Sequence, residues 1–217
     1  MRVLTRSVVL AVLLLASSSA SPAEKGASTV SRSDLSQSKA WFDKGSQYAG
    51  RQQNESAIEA YTRALALNPG FVEAFSARGT IYVRIGKSER ALQDFNRALA
   101  LDWKNHTAYN NRGMIYFKKQ DLERAIADFS NAITGSPNTA TYYLNRAAAY
   151  AGMKQYDKAI ADYTVVIGMD PANADAYAGR GSACHSLGRT DQAAVDLNKA
   201  CSLGSESGCK SVKALRT

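Results

Sequence analysis

The sequence has few prolines and histidines, and it shows no arrangement of residues typical of a catalytic or metal site. Only four prolines and two histidines occur in 217 residues. Few prolines in a chain rich in Ala and Leu favour helix. His106 and His185 occupy unrelated positions of the repeat described below, and the glycines form no phosphate-binding loop after a strand. The sequence therefore predicts no enzyme, no metal site and no cofactor.

Long hydrophobic runs are also scarce, and the one at the N-terminus is too short to span a bilayer. Arg2 and Arg6 precede the apolar run 8–16, and small residues follow it through Ala20. A positive start, a short apolar core and a small-residue site are typical of a cleavable signal peptide, here residues 1–20. Cleavage after Ala20 or Ala23 and an uncleaved anchor are the alternatives. We expect a periplasmic or secreted protein without a stable membrane span after cleavage.

The charge balance gives little support for a nucleic-acid partner. The net charge is +8, but Arg2 and Arg6 lie in the predicted signal peptide, so +6 remains on the mature chain. A nucleic-acid role would depend on net charge alone, and export argues against it. Residues 21–37 are rich in Ser and Ala, and we interpret them as a flexible linker.

From residue 38 onward the sequence repeats with a period of 34 residues. Five units follow one another at 38–71, 72–105, 106–139, 140–173 and 174–207. The eighth position of the unit is small, the eleventh and twenty-fourth are mostly aromatic, and the twentieth is Ala in every unit. Small residues allow two helices to cross closely, and the large ones at helical spacing predict a core between helix pairs. Repetition of a helical pair predicts a solenoid.

Two charge regularities accompany this pattern. Position 18 is acidic and basic residues precede it, which complements the helix dipoles; a basic binding ridge is the alternative. Position 7 is Arg and position 23 is Asp in the last four units, whereas the first has Lys44 and Ala60. Pairing within a unit leaves no partner missing, so we predict four ion pairs that fix register. They are Arg78 with Asp94, Arg112 with Asp128, Arg146 with Asp162, and Arg180 with Asp196.

At these positions the chain resembles the tetratricopeptide repeat (TPR) family over residues 38–207. The resemblance implies an all-α, right-handed superhelical TPR solenoid of five helix pairs, with the first helix of each pair lining a concave groove. A C-terminal cap helix is expected at 208–217. Trp103 and Ser205 stand where the family has Pro, so those two turns must end the helix by other means. The chaperone-tail-binding subfamily's carboxylate clamp is absent, because Phe42 and Ser46 occupy its positions.

The groove is where the resemblance places a binding site. Its expected lining is apolar and rich in amides, suited to a peptide or protein segment. The residues are Thr80, Val83, Asn110, Asn111, Met114, Phe117, Lys118, Leu144 and Asn145.

Three cysteines make an odd count in a chain expected to be exported. The run 199–209 resembles the Cys pair of SEL-like relatives of TPR repeats, and this resemblance implies a disulfide between Cys201 and Cys209. Cys184 stands where other units have Tyr, and we interpret it as a buried free thiol.

The leading hypothesis is an exported, non-enzymatic interaction scaffold that binds a peptide or protein in the groove. Two alternatives are a self-associating structural repeat protein, with a homo-oligomer as its product, and a regulatory subunit of an envelope enzyme complex.

Overall fold

The computed structural model describes residues 30–214, and the predicted signal peptide lies outside them. Eleven helices make up this part of the chain. The first helices of the five pairs (A helices) are α1 (Arg32–Gly50), α3 (Val72–Arg84), α5 (His106–Lys118), α7 (Ala140–Gly152) and α9 (Ala174–Ser186). The second helices (B helices) are α2 (Asn54–Leu67), α4 (Ser88–Leu101), α6 (Leu122–Gly135), α8 (Tyr156–Met169) and α10 (Thr190–Ser202). The chain then forms α11 (Glu206–Ala214).

The turn from each A helix to its B helix uses a left-handed residue at position 15 of the unit. In two units this residue is glycine, Gly86 with φ of 75° and Gly188 with φ of 73°. In the other three units a residue with a side chain adopts the same conformation: Gln52, Gln120 and Lys154, with φ of 59°, 62° and 60°. After α5, the Gln120 and Asp121 amides donate to the carbonyls of Phe117 and Tyr116. These bonds satisfy the last carbonyls of the helix, as in common C-terminal caps.

The turns that follow the second and the fourth pair are each closed by an Asx side chain. Asp102 Oδ1 accepts from the Lys104 amide at 3.0 Å, and Asp170 Oδ1 accepts from the Ala172 amide at the same distance. The turn at Trp103 is therefore built like the one at Pro171, so Asp102 ends the helix without proline.

The core lies between the two helices of each pair. Position 24 is buried in all five units, with Phe95 and Phe129 fully enclosed. Each of these rings faces a glycine: a Cβ built on Gly113 would lie 2.8 Å from the Phe129 ring, and one on Gly79 would lie 2.9 Å from Phe95. The predicted contact of small and large residues is present, and it fixes the close crossing of A and B helices.

Contacts between pairs show which side of the solenoid is concave. Successive A helices approach each other, whereas no two B helices do so within residues 30–214. The chain therefore curves with its A helices inside. This arrangement confirms the prediction of an all-α TPR solenoid of five helix pairs followed by a C-terminal helix.

Both ends of the solenoid differ from the predicted boundaries. α1 begins at Arg32, so residues 32–37 are helical and the prediction of a flexible linker is wrong there. The reason is a capping box, in which Ser31 Oγ accepts from the Asp34 amide at 3.0 Å and Asp34 accepts from the Ser31 amide. α11 begins at Glu206 rather than 208 and touches both α10 and α9. It takes the place of the A helix that a sixth unit would supply.

In the part of the chain that the structure describes, no helix combines the length and the apolar character needed to cross a membrane.

Candidate functional site

The predicted groove residues come from three consecutive A helices, α3, α5 and α7. Asn110, Asn111 and Asn145 are half-buried, and so are Val83 and Leu144. Thr80 and Lys118 are exposed. Because α3 packs beside α5 and α5 beside α7, these residues lie on neighbouring helices on the inside of the curve.

A chain of hydrogen bonds crosses this surface from one repeat to the next. Asn145 Nδ2 donates to Asn110 Oδ1 at 2.9 Å, Asn110 Nδ2 donates to Asn111 Oδ1 at 3.4 Å, and Asn111 Nδ2 donates to Thr80 Oγ1 at 3.3 Å. We call these four residues the amide ladder. Each amide has two donor hydrogens and two acceptor lone pairs, so the ladder leaves hydrogen-bonding capacity on every asparagine.

The apolar residues of the groove have a second role in the core. Met114 and Phe117 are half-buried and pack against the cluster of Ala125, Phe129 and Ala149. They therefore join the third repeat to the fourth as well as forming the wall of the groove. Truncating them would disturb the fold as well as the surface.

The ladder ends at the fourth repeat for a steric reason. Asn111 and Asn145 occupy position 6 of their units, where the fifth unit has Gly179. A Cβ at Gly179 would lie 2.3 Å from Cζ of Tyr163, so an asparagine there would require the Tyr163 ring to move. In the fourth unit Ala147 replaces the glycine of position 8, and the Tyr163 ring extends to Gly179 instead.

The structure joins each predicted Arg–Asp pair within its own repeat. Arg112 Nε and Nη2 donate to the two Asp128 carboxylate oxygens at 2.8 and 2.7 Å, and the other three pairs have the same two-bonded geometry. The Asp128 side chain is 5% exposed and the Arg112 side chain 20%. The hydrogen bond from Arg112 to Asp128 raises the pKa of the guanidinium further above its ordinary value, against the opposing effect of burial.

The remaining arm of each arginine bonds to the preceding repeat. Nη1 donates to an uncharged side chain at position 25 of that repeat, as from Arg112 to Asn96 at 2.6 Å and from Arg146 to Ser130 at 3.1 Å. Thr62 and Thr164 accept in the same way from Arg78 and Arg180. The sequence prediction missed these acceptors, although a Ser, Thr or Asn at position 25 of every unit was the pattern that could have shown them.

Aromatic rings flank these arginines, at position 4 in all four repeats and at position 11 in all but the fifth. The Arg146 guanidinium carbon lies 5.7 Å from the Tyr143 ring centre and 5.8 Å from that of Tyr150. Tyr116 and Tyr150 are half-buried and pack against core clusters, as predicted for position 11. Their rings also stack on the arginine at the edge of the core.

The cysteines lie near the C-terminus of the solenoid. Cys201 and Cys209 form a disulfide with their Cα atoms 4.5 Å apart, which ties α10 to α11. Cys184 is free and buried. Burial, followed by the nearby Asp196 carboxylate, raises the pKa of its thiol above the ordinary value.

The two histidines have no metal-binding neighbours. Over residues 30–214, no group of three or more His, Cys, Asp or Glu side chains is placed to hold a metal ion. His106 Nδ1 instead shares a 2.8 Å hydrogen bond with the hydroxyl of buried Tyr142.

Comparison with known proteins identifies the family. The tetratricopeptide repeat model matches residues 42–106, 76–140 and 144–206, which is most of the chain, so the chain belongs to the tetratricopeptide repeat family. TPR units bind other proteins, and the chain is accordingly a protein–protein interaction scaffold. No curated protein matches the sequence.

Several solved structures share the fold. A crystal structure of MamA is 27% identical with a TM-score of 0.71, over 77% of this chain and 91% of MamA. YrrB, described as a TPR protein with an unusual peptide-binding site, is 20% identical with a TM-score of 0.72, over 80% of this chain and 90% of YrrB. PilF of Pseudomonas aeruginosa is 18% identical with a TM-score of 0.70, over 80% of this chain and 79% of PilF. The last two likenesses concern the fold alone.

Proposed function

We propose that this protein is an exported scaffold that binds an extended segment of a partner protein along the groove of α3, α5 and α7. The amide ladder is the observation that carries the proposal. An extended peptide offers backbone donors and acceptors at intervals of about 3.3 Å, and side-chain amides can pair with both kinds of group. A surface with this chemistry recognises backbone irrespective of sequence.

Specificity comes from the apolar side chains beside the ladder. Val83, Met114, Phe117 and Leu144 are half-buried, so each still offers part of its surface to a bound segment. Methionine adapts to differently shaped partners, and the exposed Lys118 favours a carboxylate at its end of the groove. We therefore expect a segment with apolar residues and a nearby acidic group.

The test uses photo-crosslinking from a single groove position in an envelope extract. Benzoyl-phenylalanine at exposed Lys118, which leaves the amide ladder intact, is expected to capture a partner, and the same group at exposed Asn131 on α6 is the control outside the groove. Capture from Lys118 should disappear in an Asn111→Ala, Asn145→Ala variant, which spares the core contacts of Met114 and Phe117. Equal capture from Asn131 and Lys118, or capture unaffected by the double substitution, contradicts groove binding.

Export is the second part of the proposal. The signal-like residues 1–20 support it, and so does the Cys201–Cys209 disulfide, because disulfides persist in oxidising compartments. We expect the mature protein to begin at Ser21 or at Glu24 in the periplasm or outside the cell. Mass spectrometry of protein purified from its native host checks this, and an intact N-terminus in the cytosolic fraction would contradict it.

The molecular mass in solution distinguishes groove binding from the alternative of a self-associating structural protein. Light scattering over a wide concentration range is expected to give a monomer if the groove binds a foreign partner. A concentration-dependent increase in mass would favour self-association. If the protein is a regulatory subunit of an envelope enzyme complex, the partner captured by crosslinking should be that enzyme.

A further inference from the structure

The fifth helix pair lacks an aromatic ring that the three pairs before it share. In those pairs the ring at position 11 (Tyr82, Tyr116 or Tyr150) lies between two cations. One is the ion-paired arginine of position 7, about 5.8 to 6.0 Å from the ring centre. The other is at position 19, where Arg124 lies 4.5 Å from the Tyr116 ring and Lys158 lies 5.4 Å from the Tyr150 ring. The ring fills the gap between these two cations.

In the fifth pair both the ring and its outer cation are replaced. Cys184 stands at position 11 and Gln192 at position 19, with Sγ 3.9 Å from Oε1. A pocket of about 480 Å3 is present at this place, between α8, α9 and α10. Arg180, Cys184, Gln192 and Val195 are among the residues that line it.

One wall of the pocket retains the chemistry that holds a ring elsewhere in the protein. Arg180 is fixed by two bonds to Asp196 and one to Thr164, and it stacks on Tyr177 at 5.7 Å. In the second to fourth pairs, the tyrosine of position 11 lies on the other side of the arginine. Arg180 has no such ring, because position 11 is Cys184. A guanidinium held in place with one side unstacked attracts the face of an aromatic ring.

We propose that this pocket takes an aromatic side chain of a partner protein in the position that tyrosine occupies in the preceding repeats. Cys184, Ile160 and Val195 supply apolar surface, while Arg180 disfavours a cation and Asp191 disfavours an anion, so an uncharged ring fits better than a charged group. The pocket shares no residue with the groove of α3, α5 and α7, and it is a second binding surface.

The rim of the pocket indicates a protein side chain and not a small aromatic molecule. Val195, which lines the pocket, is 69% exposed, and Leu187, in the turn before α10, is 38% exposed. Exposed apolar surface around a pocket wider than one ring is the arrangement of an anchor and its surround in protein interfaces. A small molecule confined to the pocket would leave Leu187 in water.

The test is titration of the labelled protein with N-acetyl-tyrosine amide, followed by amide and side-chain NMR shifts. We expect shifts at residues 180, 184, 192 and 195, with the tyrosine amide binding roughly fivefold or more tightly than N-acetyl-leucine amide. Cys184→Tyr fills the pocket and should abolish these shifts, whereas Cys184→Ser leaves it open and should preserve them. If Cys184→Tyr does not fold, Val195→Glu at the exposed rim supplies the second variant, with weaker binding expected.

Three outcomes would overturn the proposal. One is the absence of shifts in the pocket, and another is equal binding of the leucine and tyrosine amides. The third is the appearance of the same shifts on raising the protein concentration alone, with their loss in Trp103→Ala. Trp103 is 70% exposed, and that result would make a second copy the occupant instead of a different partner. Failure of the groove crosslinking leaves these measurements unaffected.

Discussion

At the scale of single residues, the buried aspartates impose the strictest requirement on their neighbours. Asp128 is enclosed against α5, and Arg112 is its charged partner through two bonds. Burying two charges costs free energy that their attraction only partly returns, so such a pair adds less to net stability than its geometry suggests. Removing one partner is different, since the other charge is then buried alone.

We predict that Arg112→Ala destabilises the protein by about 3 to 5 kcal/mol, because Asp128 would lose its partner. Denaturation by urea, followed by circular dichroism, measures this loss. The double variant Arg112→Met, Asp128→Leu is expected to recover much of it. Lys210→Ala is the control, since its ion pair with Glu206 is exposed and its loss should leave stability unchanged. A small effect of Arg112→Ala alone would contradict the prediction.

Position 15 of the unit gives a second prediction at this scale. Gln120 adopts φ of 62°, which a residue with a Cβ reaches only at a cost. Gln120→Gly should therefore stabilise the protein by about 0.5 to 1 kcal/mol, after the greater freedom of glycine in the unfolded chain is subtracted. The reverse change at the matching position, Gly86→Gln, should destabilise it. Thermal unfolding of both variants measures the effects, and a shift of the same sign in both would contradict the explanation.

The thiol of Cys184 gives a prediction about pH. Burial raises its pKa, so the folded state favours the protonated thiol. The stability that this supplies is present below the ordinary thiol pKa and is lost as pH rises through the higher folded value. As the pH rises above the ordinary thiol pKa of about 8.5, we expect stability to fall more in the wild type than in Cys184→Ser, measured by urea denaturation at increasing pH. Parallel curves for the two proteins would show that the thiol does not contribute.

At the scale of helices, α11 depends on the disulfide that joins it to α10. Closing a loop of eight residues is worth roughly 2.5 kcal/mol in the chain-entropy estimate. Cys201→Ser with Cys209→Ser should therefore lower stability by about that amount and expose the end of α10 and α9, which α11 covers. Cys184→Ser under the same conditions is the control. Unchanged thermal unfolding after reduction of the wild type would contradict this role.

Periodicity made the helices predictable, and its absence explains where the prediction went wrong. Each 34-residue unit has small and large residues at the same positions, and in the structure these residues form the contacts within each helix pair. The first turn of α1 lies outside the periodic region, in a polar stretch where only Ser31 and Asp34 mark a helix start. The turn at Trp103 needs no proline because Asp102 closes it.

The candidate sites were less predictable because they depend on which side chains meet. The asparagines of the groove are evident in the sequence, but the ladder that joins Asn145 to Asn110 and Asn111 to Thr80 requires the side-chain positions of three helices. Similarly, Cys184 is visible as a departure from the repeat. The pocket above it appears only when the helices are packed and Gln192 proves not to fill the space.

At the scale of the whole molecule, the arginines join neighbouring repeats as well as the two helices of one repeat. Nη1 of Arg78, Arg112, Arg146 and Arg180 each reaches back one unit. Stability in such a chain is the sum of contributions within repeats and between neighbours, so the ends open before the centre. The two ends differ here, since α11 and the disulfide protect the last repeat.

The first repeat should therefore be the first to open. Lys44 and Ala60 stand where the other units have a bonded Arg and Asp, and the disulfide is at the opposite end. We expect the amides of α1 and α2 to exchange with deuterium roughly tenfold faster than those of α5 and α6, with α9 and α10 between. Reducing the disulfide should raise the amide exchange rates of α10 and α11 to those of α1 and α2. The exchange rates of α1 and α2 themselves should stay unchanged. Uniform exchange in all helices, or faster exchange in α10 than in α2 before reduction, would show that opening is global or starts at the other end.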